Sequence, residues 1–187
     1  MKHKTLLSIA TSGLMLAALV PTFAQATDGI VKFSGSISDV TCEINGKAPG
    51  ESNEFNLELG NFAPTVFEKV GDTTTLKDFN LVLTGDGCTS GKKVSIEFDQ
   101  LGNVDPASGN LKLIGSKPAT GVQIQIYNAD GAEPKKIFLG QAEASPQIAS
   151  IVDKTATLKY KAAYVSTVHP VGAGTGISYI RYTLAYQ

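Results

Sequence analysis

Few of the side chains that carry most catalysis occur in this chain. It has two cysteines and two histidines, and one histidine, His3, lies beside the N-terminus. His169 is therefore the one imidazole left for acid–base work past the leader, and it stands next to Pro170 in "TVHPVGAGTG". There is no Gly-x-Ser-x-Gly elbow to aim a serine nucleophile and no Cys-x-x-Cys to hold zinc or run redox chemistry. Paired carboxylates for glycoside hydrolysis are defined in space, and here the acids fall mainly in turns or outward strand positions, where solvation accounts for them. "GAGTG" at 172–176 lacks the helix a phosphate loop needs, because Ile180, Tyr182 and Leu184 follow it in alternation. Those glycines are expected to let two backbones approach closely or to form a tight bend. The reading is no enzyme, no cofactor and no metal.

Charge of one sign is also missing. Lys and Arg number 16 against 17 Asp and Glu, which gives nucleic acid or an anionic membrane no reason to bind. Long apolar runs are absent but for residues 6–20. A membrane anchor would need about twenty apolar residues. Lys2 and Lys4 ahead of the run and the small-x-small site Ala24-Gln25-Ala26 behind it instead mark a cleaved secretory signal. Cleavage between Ala26 and Thr27 leaves 161 residues with a formal charge of −3, since two lysines leave with the signal. That length suits one domain with a sizeable core, exported and not inserted in a membrane. Cys42 and Cys88 survive, and two cysteines in an exported chain most simply form one disulfide. Closing their 46-residue separation contributes about 4 kcal/mol in the loop-entropy model.

Helical periodicity is nearly absent as well. What is present is period-2 alternation closed by turn residues, the pattern of half-buried strands. It runs through residues 30–37, 40–44, 54–60, 78–88, 92–99, 110–115, 121–131, 156–166 and the C-terminal "YIRYTLAYQ". Helix is expected only around 65–69 and 146–151. There is no linker, low-complexity tract or fixed repeat. Short strands at this density indicate an antiparallel all-β sandwich or barrel.

Two strands pose a pairing problem. The last places Ile180, Tyr182, Leu184 and Tyr186 on one face and runs to the end of the sequence. An immunoglobulin-like sandwich needs one more strand beside it, and an uncovered edge of Tyr and Leu invites aggregation. The mature N-terminus, "TDGIVKFSGSIS", is a ready amphipathic strand with Val31, Phe33, Gly35 and Ile37 on one face. Gly35 breaks that face. It is either a bulge or a match to a groove too shallow for a side chain.

The order and spacing of "GIVKFSGSISDVTC", "FNLVLTGDGC", "GVQIQIYNADG", "LKYKAAYV", the penultimate Tyr186 and Gly174 resemble the pilins of Gram-negative chaperone–usher fimbriae, in particular the type 1 group. The resemblance covers essentially the whole mature chain. It implies an incomplete, six-stranded immunoglobulin-like sandwich over 41–187, lacking its last strand, preceded by a signal at 1–26 and a donor-strand extension at 27–40. It further implies that Val31, Phe33, Gly35 and Ile37 fill a neighbour's groove. Gly174, Ile180, Tyr182, Leu184 and Tyr186 would then line this subunit's acceptor edge and chaperone-recognition strand, and Cys42–Cys88 would join the first two strands. The implied partners are other copies or related pilins, a periplasmic chaperone and an outer-membrane usher. The implied destination is a fimbrium on the cell surface, supporting adhesion. A minor adaptor subunit, or a single-domain adhesin binding a host glycan, is the alternative. Tip adhesins of the family carry an extra receptor domain for which 161 residues leave no room.

Overall fold

Alternating apolar residues with no helical stripe can bury their apolar face only by stacking one sheet on another, and the computed structural model of the chain does this. It describes residues 40–99 and 102–187, so the expected donor residues and the signal cleavage site lie outside the described residues. Among the described residues ten strands form two sheets. They are β1 (Glu43–Ile44), β2 (Lys77–Thr84), β3 (Lys93–Phe98), β4 (Val104–Asp105), β5 (Asn110–Lys112), β6 (Val122–Asn128), β7 (Lys135–Lys136), β8 (Ile148–Ser150), β9 (Ala156–Ser166) and β10 (Tyr182–Tyr186). The larger sheet runs β1-β2-β9-β6-β5-β4 with β7 beside β6, and the smaller runs β10-β3-β8. Every ladder between these strands is antiparallel.

Parity places the core. In β9, Ala156, Leu158, Tyr160 and Ala162 are buried while Lys159 is exposed, and β2 and β6 flank it with Leu81, Leu83, Ile124 and Ile126 turned the same way. Val94 and Ile96 of β3 meet them from the opposite sheet in one continuous apolar cluster. Tyr160 ties the two sheets together. Phe79 of β2 stacks on its ring at 5.4 Å, and Phe98 of β3 meets it edge-on at 5.3 Å, arrangements that aromatic quadrupoles favour. Cys42 and Cys88 are fully buried and joined in the expected disulfide.

Local expectations fare unevenly. The helix expected at 65–69 is a single 3-10 turn, Pro64–Val66. The helix expected at 146–151 is not there: this segment is strand β8, paired with β3 through Lys93↔Ser150 and Ser95↔Ile148. Gln147 and Ile151 are buried and Ile148 exposed, a period-2 pattern. The Gln147 amide also brackets Lys159, accepting from its N–H at 2.6 Å and donating to its carbonyl at 2.9 Å, which a helix in this place would forbid. The strand expected at residues 54–60 does not form a ladder: among the described residues this segment pairs with no strand.

Candidate functional site: a groove with two unpaired walls

The C-terminal strand and the unladdered segment face one another across a trough. β10 lies at one edge of its sheet, paired with β3 alone among the described strands. Gln187 and Lys93 exchange both of their backbone hydrogen bonds at 2.9 Å, and Asp99 N–H donates to the Arg181 carbonyl at 2.9 Å. Bonded pairs recur every second residue in an antiparallel ladder. The odd-numbered residues 181, 183, 185 and 187 therefore point their amides at β3. Ile180, Tyr182, Leu184 and Tyr186 point theirs away, into the trough. The same four residues turn half-buried side chains onto the core. One residue set thus supplies both the polar edge and the apolar lining.

The opposite wall is residues 54–61. Phe55, Leu57 and Leu59 line the trough with exposure falling from 46% at Phe55 to 7% at Leu59. No backbone hydrogen bond joins residues 55–61 to other described residues. Leu81, Ile96, Leu111, Ile124, Ile126 and Leu139 make the floor.

Contacts at the two ends fix the direction of each wall. At one end the Cys42 backbone N–H lies at the Tyr186 hydroxyl, and Lys47 Nζ donates to the Glu54 carbonyl at 3.3 Å. At the other, the Tyr164 hydroxyl donates to the Gly176 carbonyl at 2.6 Å, and the Phe62 ring meets Tyr164 edge-on at 6.3 Å. The walls consequently run in opposite directions. A strand laid between them is antiparallel to one and parallel to the other. From Gly176 to Tyr186 the trough spans about 33 Å of extended chain. Its volume of about 2290 Å³ is well above the roughly 300–1,000 Å³ that suits a small molecule. That length and volume leave room for an extended segment of polypeptide.

The expected edge residues fall into two groups. Ile180, Tyr182, Leu184 and Tyr186 all line the trough, both tyrosines included. Gly174 lies before β10, at the trough's far end, where the residue 172–176 strap runs beside 118–120 through the Pro118↔Thr175 and Thr120↔Gly172 bridges. A side chain at Gly174 would collide with the Pro118 and Ala119 backbone, and one at Gly176 with the Tyr164 hydroxyl. These glycines permit close backbone approach. The alternation of residues 54–60 marked a strand, but only the fold makes it a wall. Tyr164 carried no signal of its own as the pillar closing one end.

Burial raises the phenol pKa of Tyr182 and Tyr186, with the Cys42 N–H partly offsetting it at Tyr186. Burial and then the Glu58 carboxylate raise Tyr164. Burial, followed by Glu143 and Asp130, raises Tyr160 furthest. A phenol that ionises later in the folded chain than in the unfolded one stabilises the fold below about pH 10, and the gain is lost as pH rises through the folded values. The urea midpoint is therefore expected to hold to about pH 9 and fall steadily above pH 10. A midpoint unchanged at pH 11.5, with phenolate absorbance already developed, would contradict this.

Comparisons place the groove in context. The family model described as "Fimbrial protein" matches residues 31–187. The F17 fimbrial protein of Escherichia coli is 33% identical over 178 residues, covering 92% of this chain and 95% of its own. Among solved structures, the CupB6 tip adhesin of Pseudomonas aeruginosa aligns with a TM-score of 0.57 at 21% identity. That match covers 78% of this chain, which spans only 37% of the adhesin. The P pilus rod subunit PapA aligns with a TM-score of 0.52 at 18% identity, over 79% of this chain and 99% of its own. At these identities the two structures speak for the sandwich fold alone. With the family match over residues 31–187, the chain belongs to the fimbrial protein family, structural subunits of surface fimbriae and not enzymes.

Proposed function

We propose that this subunit polymerises by strand donation: Val31 to Ile37, within the 27–40 extension of the next copy, fill the groove of the copy before it, in a pilin domain at 41–187. The observation that carries the reading is an edge strand, β10, whose even-numbered N–H groups face a trough walled on its other side by residues 54–61, which join no ladder among the described residues. Val31, Phe33 and Ile37 supply the apolar side chains, worth roughly 5–8 kcal/mol at about 1.5–3 kcal/mol each when buried. Each main-chain hydrogen bond to Ile180, Tyr182, Leu184 or Tyr186 adds on the order of 0.5–1.5 kcal/mol. Gly35 is assigned to a part of the groove too shallow for a side chain. This is strand addition, with affinity from the backbone and register from alternate side chains.

Each copy donates once and accepts once, so the contact is head-to-tail and builds a filament instead of closing on itself. Before that, an open edge lined with Tyr and Leu needs cover. We assign the cover to a periplasmic chaperone strand lent to the same groove, and its exchange for the next subunit's extension to an outer-membrane usher. The signal at 1–26, cut between Ala26 and Thr27, delivers the chain to that compartment. Electron microscopy of cells producing this chain with a matching chaperone and usher tests the reading. Surface fibres are expected, and their absence despite exported, folded subunit would overturn it.

A further inference from the structure

Strand donation fixes which end of one copy faces which end of the next. The sheet β10-β3-β8 is wholly antiparallel, and a strand that extends it favours the same sense. An incoming segment antiparallel to β10 starts beside Tyr186 and finishes beside Gly176. The donating copy's folded body must follow at once. Its Val40 is already buried, and its Thr41 N–H is bonded to the Gly87 carbonyl at 3.0 Å. Two residues, Ser38 and Asp39, lie between Ile37 and Val40, and the three Cα steps make a tether of about 10 Å at full stretch. The body is held against the Gly176 end of its acceptor with little freedom.

Among the described residues, that end carries an exposed apolar patch. The C-terminal end of β9 is its hub. Phe62 sits on Tyr164. The Val70 loop is tied to Ser166 by Gly71 N–H at 2.9 Å. Val168 N–H bonds the Gly121 carbonyl at 3.3 Å, and Ile177 follows the glycine that holds Tyr164. Phe62, Val70, Val168 and Ile177 are 39%, 60%, 59% and 59% exposed. The opposite end of the molecule presents Val152, 62% exposed, on a hairpin stapled near the disulfide by Lys154, whose ammonium lies 2.7 Å from Asp86.

Resting on the strand-donation reading, we infer that this patch is a body-to-body docking surface for a second copy of the chain, which seats its Val152 and disulfide end on the Tyr164 end of its acceptor. The strand joins the copies, and this contact sets how stiffly they align. Apolar side chains gathered at one tethered contact are the arrangement in which such a surface contributes.

The experiment compares fibres of the full chain carrying both Val70→Asp and Val168→Asp with unsubstituted fibres and with an Ile148→Asp control on the β8 edge. Fibres from the double variant are expected, because the groove is intact, with a persistence length in electron micrographs reduced about twofold or more. Val152→Asp is expected to soften fibres similarly and to add little to the double variant, since both remove one contact. The control should match the unsubstituted fibres. An unchanged persistence length in the double variant overturns the inference and leaves strand donation standing, as it would if the patch served a receptor instead. If the double variant yields no fibres, the milder Val168→Ala decides in the same way. Failure of the unsubstituted chain to form fibres removes strand donation and this inference together.

Discussion

A chain lacking residues 27–37 is expected to fold and to accept a strand but never to donate one, so that fibres of the deleted chain alone fall to background in electron micrographs. The described sheets, core and disulfide start at Val40, so the deletion spares them. It removes Val31, Phe33 and Ile37, and even the lower end of their roughly 5–8 kcal/mol corresponds to more than about a thousandfold in affinity. Ordering a flexible segment offsets part of that gain, but with no segment there is nothing to dock. Mixing sharpens the result. A copy that accepts without donating has nothing to follow, so in a mixture with full-length chain an epitope-tagged deletion belongs at one fibre end only. Gold label scattered along the shaft would defeat the assignment of residues 27–37 as donor.

Much of this was legible in the sequence because half-buried strands write their faces directly into residue order. Tyr182 and Tyr186 fell where alternation put them, and so did Leu158 and Tyr160 of β9. The glycines at 172–176 were likewise readable as a close backbone approach once no helix followed. What alternation cannot give is the partner. Residues 54–60 read as a strand, but whether a strand has a neighbour depends on a contact distant in sequence. Only the fold shows this unladdered wall facing β10 across the same trough. β8 misled for a related reason. Ile148 and Ile151 are three apart, a helical spacing, yet in the strand they fall on opposite faces, one exposed and one buried, and pairing with β3 settles the matter. The core is specified locally, whereas the groove is specified by what does not pair. The groove is accordingly harder to foresee, although every residue lining it was in view.

Proline scanning of β10 is expected to separate fold from function by a shift of one residue. Leu184 points its N–H into the groove, while Thr183 points its own at Glu97 of β3, two pairs along from the Gln187–Lys93 exchange. Proline removes one donor and is tolerated in a sheet only where that donor faces away from a partner strand. Thr183→Pro breaks the β10–β3 ladder and strands the Glu97 carbonyl, at a cost of about 1–3 kcal/mol for the lost partner alone. Its melting temperature falls by several degrees at least. Leu184→Pro keeps that ladder and loses only the packing of a half-buried leucine, about 1–2 kcal/mol. Its proline ring, however, stands where an incoming strand's carbonyl must sit. A chain beginning at residue 39 and a synthetic peptide of residues 27–38 provide the assay, read as the rise in melting temperature on adding peptide. The unsubstituted chain should rise strongly. Leu184→Pro should fold yet rise little or not at all, and Thr183→Pro should start lower but keep whatever rise its surviving fold allows. If Leu184→Pro took up the peptide as well as the unsubstituted chain while Thr183→Pro lost only uptake, the even-numbered residues would face β3 and the groove would be lined by the wrong edge.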